Sequence, residues 1–70
     1  MRLSARNQLK ATIERVTHGE VMSTVTTRLP DGQTITAAIT KDSAEELTLA
    51  AGDEVIVVIK ATEVIIAKEN

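Results

Sequence analysis

The chain has 70 residues, a formal net charge of −2 at pH 7, and no cysteine, phenylalanine, tyrosine or tryptophan. A chain this short buries only about 60% of the surface that its unfolded form exposes, and without cysteine it has neither disulfides nor thiolate metal ligands. The acidic balance and the missing aromatic rings argue against nucleic acid as a partner, because phosphates need a basic surface and single-stranded bases need rings for stacking. We therefore expect self-association to supply the missing stability.

Targeting and membrane signals are absent from the sequence. The first seven residues contain no apolar run of the kind found in signal peptides. No stretch approaches the roughly 20 apolar residues that a membrane-spanning helix needs. The sequence predicts a cytoplasmic protein with no membrane partner.

The first predicted strand lies near the N-terminus. Leu9, Ala11 and Ile13 alternate with polar residues, which is typical of a half-buried strand. The alternation changes phase at residues 15–16, which indicates a bulge or the end of regular pairing. Residues 17–20, which include a glycine, predict a turn.

Two further strands follow, joined by a tight turn. Residues 21–29 alternate again, and residues 35–39 repeat the pattern. Between them, Pro30, Asp31 and Gly32 indicate a hairpin turn, because proline presets φ and glycine accepts positive φ.

The only predicted helix lies in residues 40–47, where the strand alternation stops. Ser43 with Glu46, or Asp42 with Glu45, would form a capping pair at its start. We expect about two turns of helix.

The last two predicted strands are residues 55–59 and 64–66. The first of them is continuously apolar, so we expect both of its faces to be buried, one of them by another subunit. The pattern predicts an all-β fold, a five-stranded OB-like Greek-key barrel with one short helix between strands 3 and 4. Residues 1–70 are predicted to form a single domain.

Catalytic patterns are missing from the sequence. His18 is the single histidine and is expected to be a solvated turn residue, and no serine has a histidine partner at catalytic spacing. The three glycines lie too far apart for a phosphate-binding loop. We predict that the chain is not an enzyme and that its side chains ligate no metal directly.

Two polar segments remain as candidates for binding. Residues 4–8 combine a hydroxyl, a guanidinium and two amides, and Lys60, Ala61 and Thr62 follow the most apolar strand. By composition alone, these segments are more consistent with a solvated terminus and an ordinary turn than with a binding site.

Four segments resemble the Mop/TOBE family of molybdate-binding domains. SARNQLKATI at residues 4–13 is similar to the family's opening SARNQLKGTI, and HGEVM at residues 18–22, TAAITKDS at 36–43 and VIKATEV at 58–64 follow in register. The likeness covers practically the whole chain and is closest to the stand-alone molbindins. The chain departs from the family at Glu20, in a loop that in many members reads Lys-Gly-Ala-Val-Asn.

The resemblance implies a function and a set of binding residues. It implies storage and homeostasis of molybdate or tungstate, bound as whole oxyanions between the subunits of a homohexamer, a trimer of dimers. The implied oxyanion-binding residues are Ser4, Arg6, Thr40, Ser43, Lys60 and Ala61. A second oxyanion site is implied at Gly19, Val21 and Ser23.

Three alternatives stay open on the sequence alone. An OB-like adaptor for nucleic acid or protein would use the same fold and the basic residues at positions 6, 10, 15 and 60. A small hydrolase and a ligand-free structural oligomer are the others.

Overall fold

The computed structural model describes residues 2–69, so Met1 and Asn70, the ends of the predicted domain, lie outside the described residues. Four antiparallel strands form one sheet in the order β3-β2-β1-β4. The elements are β1 (Asn7–His18), β2 (Met22–Arg28), β3 (Thr34–Thr40), α1 (Lys41–Glu46) and β4 (Glu54–Ile59), followed by a 3-10 turn (Ala61–Glu63).

Strand β1 is the centre of the sheet. Its first half pairs with β4 and its second half pairs with β2, which requires a strand of 12 residues. The register with β2 shifts between Ile13 and Arg15, so Glu14 is the extra residue of a bulge. At the same point the N–H of Ile13 donates to the carbonyl of Asp53, 2.9 Å away. The predicted change of phase is therefore a bulge within a continuous strand. This strand extends to residue 18 and so includes the first two residues of the predicted turn at residues 17–20.

The predicted hairpin turn is present between β2 and β3. The N–H of Leu29 donates to the carbonyl of Gln33 at 2.7 Å, and Gly32 has a φ of 93°. The Asp31 carboxylate accepts hydrogen bonds from the side chain and the backbone N–H of Gln33. These two bonds, the side-chain bond first, lower the pKa of Asp31 below its ordinary value.

Helix α1 has six residues, which agrees with the expected length, but its cap differs from the predicted pairs. Thr40 is the N-cap, and its Oγ1 accepts a hydrogen bond from the Ser43 N–H at 3.1 Å. The helix begins at Lys41, two residues before the earlier predicted cap, Asp42, would allow, because Thr40 ends β3 in an extended conformation and caps the helix. Ala44 is buried and anchors the helix to the sheet.

The buried core of residues 2–69 is small. Its apolar members are Ala11, Ile13, Val25 and Ala44, and its polar members are Ser23 and Thr27. Strand β4 alternates between half-buried and exposed residues, and Ile56 and Val58 are 42% and 39% exposed. Within residues 2–69 the outer face of β4 is uncovered, so the expectation that another subunit buries this face stays a prediction.

The predicted fifth strand does not form in the described chain. After the 3-10 turn, residues 64–66 have no sheet partner, and Ile65 and Ile66 are 90% and 86% exposed. The 3-10 turn ends the β4 extension, and the apolar segment after it pairs with no strand of the described chain. The architecture is a four-stranded curled sheet with one helix, which is a half-barrel and not a closed five-stranded barrel.

Within residues 2–69, no helix has the length and apolar character that crossing a membrane requires.

Candidate functional site

The first candidate cluster lies where β1 begins and β4 ends. Asn7 pairs with Ile59, and its side-chain amide also donates to the Ile59 carbonyl at 3.2 Å. Arg6 directly precedes this last pair of the register, and Lys60 directly follows it. Ser4 lies two residues before Arg6, and Ala61 directly follows Lys60. Both Ser4 and Ala61 are exposed. We call Ser4, Arg6, Lys60 and Ala61 the basic end.

The basic end carries positive charge without a carboxylate partner in residues 2–69. The ion pair in that part of the chain joins Arg28 to Glu14, at the bulge. Arg6 and Lys60 are both exposed and free of such a contact. A fork of guanidinium N–H donors beside an ammonium group is suited to an anion with several oxygens.

The second cluster lies at the opposite end of the sheet, where β3 passes into α1. The Thr40 hydroxyl donates to the Oγ of Ser43 at 2.7 Å, while it accepts the Ser43 N–H. The hydroxyl hydrogen of Ser43 is therefore left for an external acceptor. The N–H of Lys41 donates to the carbonyl of Val21 at 2.7 Å, so this helix-end donor is used within the chain.

The β1–β2 loop lies beside this second cluster, because Met22 pairs with Thr40. The N–H of Gly19 donates to the Met22 carbonyl at 2.8 Å, and Val21 is 72% exposed. Ser23 is 1% exposed, and its hydroxyl lies 2.6 Å from Nδ1 of His18. Its side chain is thus engaged within the chain. We call the loop with Thr40 and Ser43 the hydroxyl end.

The two ends are far apart within one chain. Arg6 precedes the first residue of β1, and the hydroxyl end lies beside its last residue, His18. Twelve residues at about 3.3 Å each correspond to a strand of roughly 40 Å. A tetrahedral oxyanion is a few ångströms across, so one anion cannot contact both ends of the same chain.

The described chain also has a groove of about 690 Å³ away from both ends. It runs between β1, β4 and the β2–β3 turn, and its lining includes Ala11, Leu29, Pro30, Val55 and Ile56. No predicted site residue lines it. Lys10, Arg28 and Glu54 line it as well, so the groove is a mixed apolar and charged surface that lies outside the candidate site. Residues 2–69 contain no group of three acidic or histidine side chains placed to hold a metal ion.

Two contacts at the site were not predicted from the sequence. Asn7 fixes the start of β1 to Ile59, and Ser23 fixes the imidazole of His18. His18 is the last residue of β1 and not a turn residue. The second contact follows from the hairpin register, in which His18 pairs with Ser23, but the sequence alone left the length of β1 open.

Comparison with known proteins identifies the family. Residues 3–66 match the TOBE domain. The molybdenum-pterin-binding protein MopA of Rhodobacter capsulatus is 49% identical over 67 residues, which are 96% of this chain but 25% of MopA. Molybdenum-pterin-binding protein 1 of Clostridium pasteurianum is 41% identical over 94% of this chain and 97% of its own length. The chain thus spans about a quarter of MopA and nearly all of the clostridial protein.

Solved structures agree with the sequence comparison. A molybdate binding protein from Sporomusa ovata has a TM-score of 0.92 at 40% identity, covering 97% of this chain and 100% of its own. The cytoplasmic molybdate-binding protein ModG, with molybdate bound, has a TM-score of 0.83 at 43% identity, covering 87% of this chain and 43% of its own. The chain belongs to the TOBE domain family, together with the small molybdenum-pterin-binding proteins of Clostridium pasteurianum.

Proposed function

We propose that this chain binds molybdate or tungstate as an intact oxyanion and serves as a store of it in the cytoplasm. The observation that carries the proposal is the basic end, where Arg6 and Lys60 flank the last β1–β4 pair and have no carboxylate partner in residues 2–69. The molybdate-binding relatives and the molybdate-bound ModG structure support this ligand class.

The chemistry of the ligand fits such a set of donors. Molybdate and tungstate are fully deprotonated dianions near neutral pH, so every oxygen accepts a hydrogen bond. Arg6, Lys60 and the Ser43 hydroxyl offer donors. Phosphate retains a proton at this pH, which such a pocket leaves unpaired at a cost of roughly 1–3 kcal/mol. We therefore expect discrimination against phosphate of about ten- to a hundredfold.

We further propose that each site is completed by two chains. The basic end of one chain would meet the hydroxyl end of another, because one chain cannot bring Arg6 and Ser43 to the same anion. The metal would be surrounded by its own oxygens, with no protein atom as a direct ligand. Gly19 and Val21 would contribute to a second anion site through the loop, whereas Ser23, the third residue implied there, is buried in β2 with its hydroxyl on His18.

Uncovered apolar surface supports the self-association that such a site needs. Ile56 and Val58 on β4, together with Ile65 and Ile66, are exposed in the single chain. At about 25 cal/mol per Å² of apolar area, covering these side chains is strongly favourable. We propose a homohexamer built as a trimer of dimers.

Elemental analysis and native mass spectrometry of one sample test this function. After incubation with molybdate and removal of free ligand, the protein should retain molybdenum and have the mass of an oligomer. Titrations with tungstate, sulfate and phosphate under the same conditions give the specificity. A monomer that retains no molybdenum or tungsten would contradict the proposal.

A further inference from the structure

Two side-chain amides lie beside the basic end. Asn7 donates from Nδ2 to the carbonyl of Ile59 at 3.2 Å, and Gln8 donates from Nε2 to the carbonyl of Ala5 at 3.0 Å. Both amides belong to the polar segment at residues 4–8, and neither has a part in the oxyanion site proposed above. A carbonyl oxygen only accepts hydrogen bonds, so each partner fixes which way its amide is turned.

The two acceptor carbonyls belong to the peptide units that lead into the two basic residues. The Ile59 carbonyl is part of the unit shared with Lys60, and the Ala5 carbonyl is part of the unit shared with Arg6. A peptide unit is planar, so a bond that fixes its carbonyl also fixes its N–H and the position of the next Cα. The two amides therefore hold the backbone from which the ammonium group and the guanidinium extend.

The backbone at these two points lies just outside the sheet ladder. The last β1–β4 pair contains Asn7, and both Arg6 and Lys60 lie beyond it. On its other side Lys60 is held by its own carbonyl, which accepts the Glu63 N–H at 2.9 Å. The Asn7 bond is partly buried and spans 52 positions of the chain, whereas the Gln8 bond is local and exposed to competing water. Asn7 is therefore the stronger of the two supports.

We propose that Asn7 and Gln8 are positioning residues of the oxyanion site, and that they hold Lys60 and Arg6, respectively, in place before the anion arrives. The inference rests on the proposed function and deepens it, since neither amide has to touch the anion. Donors that are already ordered lose less conformational entropy on binding. Removing an amide leaves the charged donor in the chain but frees its backbone, so affinity falls by no more than the ordering that the bond supplied.

Calorimetric titration of single and double variants with molybdate tests these two pairings. Asn7→Ala should bind about three- to tenfold more weakly, the effect of one hydrogen bond, and Gln8→Ala about two- to threefold more weakly because its bond is exposed. In a Lys60→Ala background, Asn7→Ala should have no further effect, because the side chain that it positions is gone. In an Arg6→Ala background, Asn7→Ala should keep its full effect. Gln8→Ala should show the opposite pattern in these two backgrounds.

Gln33→Ala is the matched control, because it removes a side-chain amide that bonds Asp31 within the β2–β3 turn. It should keep parental affinity even where it lowers stability. Asn7→Leu keeps a side chain of similar shape without a donor and is the second variant where Asn7→Ala does not fold. Nitrogen relaxation of the ligand-free protein should show increased backbone motion at residues 59–61 in either Asn7 variant, and parental motion there in Gln33→Ala.

Three results would overturn this inference and leave the proposed function intact. They are parental affinity in both Asn7 variants, the same loss of affinity from Asn7→Ala in every background, and parental backbone motion at residues 59–61 in the Asn7 variants. The second of these would mark a general structural role, which does not act through Lys60. A parent that binds no molybdate would overturn both the inference and the proposed function.

Discussion

Arg6 and Lys60 are the residues whose removal should weaken molybdate binding most. Each is expected to make a charge-assisted hydrogen bond to the dianion in a site that a second chain covers. Such a bond is worth roughly 1.5–3 kcal/mol, or about ten- to a hundredfold in affinity. Lys60→Ala should lose this amount, and Arg6→Ala should lose at least as much because a two-pronged contact disappears.

The same loss should appear in melting experiments. At free molybdate of about one hundred times the parental Kd, binding stabilises the parent by about 2.7 kcal/mol. A variant that binds a hundredfold more weakly gains only about 0.4 kcal/mol under the same conditions. Without ligand neither variant should be less stable than the parent, since two like charges across β1 and β4 repel each other when the site is empty.

Matched controls make the comparison specific. Arg15→Ala removes a guanidinium from β1 away from the basic end, and Lys68→Ala removes an ammonium group from the segment after the 3-10 turn. Both controls should retain parental affinity, and all four variants should keep the parental mass in light scattering. Parental affinity in both Arg6→Ala and Lys60→Ala would refute the assignment of the basic end as the site.

Four other substitutions test separate parts of the structure. Ile56→Lys places a charge on the exposed apolar face of β4 and should yield monomers that bind no molybdate, measured by light scattering and elemental analysis. Thr48→Gly relieves a β-branched residue at a φ of 52° and should raise the free energy of unfolding by about 1 kcal/mol in urea. Glu20→Ala removes a carboxylate from the anion-binding loop, so molybdate affinity should be unchanged or higher, and a loss would show that Glu20 supports the site. Gln33→Ala should raise the pKa of Asp31 towards its ordinary value in an NMR titration. A carboxyl whose folded-state pKa is lowered stabilises the fold at pH values above its ordinary pKa, which is 3.8 for Asp31. This contribution to stability is lost as the pH falls through the lowered pKa. Gln33→Ala should therefore affect stability only at pH values above the lowered pKa.

Alternation in the sequence was sufficient to predict the strands that bury one face against the rest of the chain. Ala11 and Ile13 of β1 and Val25 of β2 are buried as the period of two predicts, and the hairpin at Gly32 follows from turn chemistry. The pattern failed at residues 64–66, which are as apolar as a strand but pair with no strand in the part of the chain that the structure describes. A strand needs a partner, and single-chain periodicity does not tell whether that partner belongs to another subunit.

The resemblance named the candidate residues as one site, which stays a prediction, but it did not show that they lie at two ends of the sheet. Arg6 and Lys60 lie 54 positions apart in the sequence and flank the last pair of the β1–β4 register. Thr40 and Ser43 belong to the other end of the sheet for the same topological reason, since β3 pairs with β2 where β1 ends. The hydrogen bond between His18 and Ser23 could not be predicted, because it requires knowing that β1 continues past the bulge at Glu14.

Complementation between two defective chains tests the two-chain site most directly. One chain carries Arg6→Ala and Lys60→Ala, the other carries Thr40→Ala and Ser43→Ala, and the two are co-expressed with different tags so that mixed assemblies can be purified. If each site joins the basic end of one chain to the hydroxyl end of another, about half the sites between unlike chains have all their residues intact. Mixed assemblies should then regain molybdate binding at parental affinity and reduced stoichiometry, while each variant alone binds weakly. Mixed assemblies that bind no better than either variant alone would contradict a site shared between two chains.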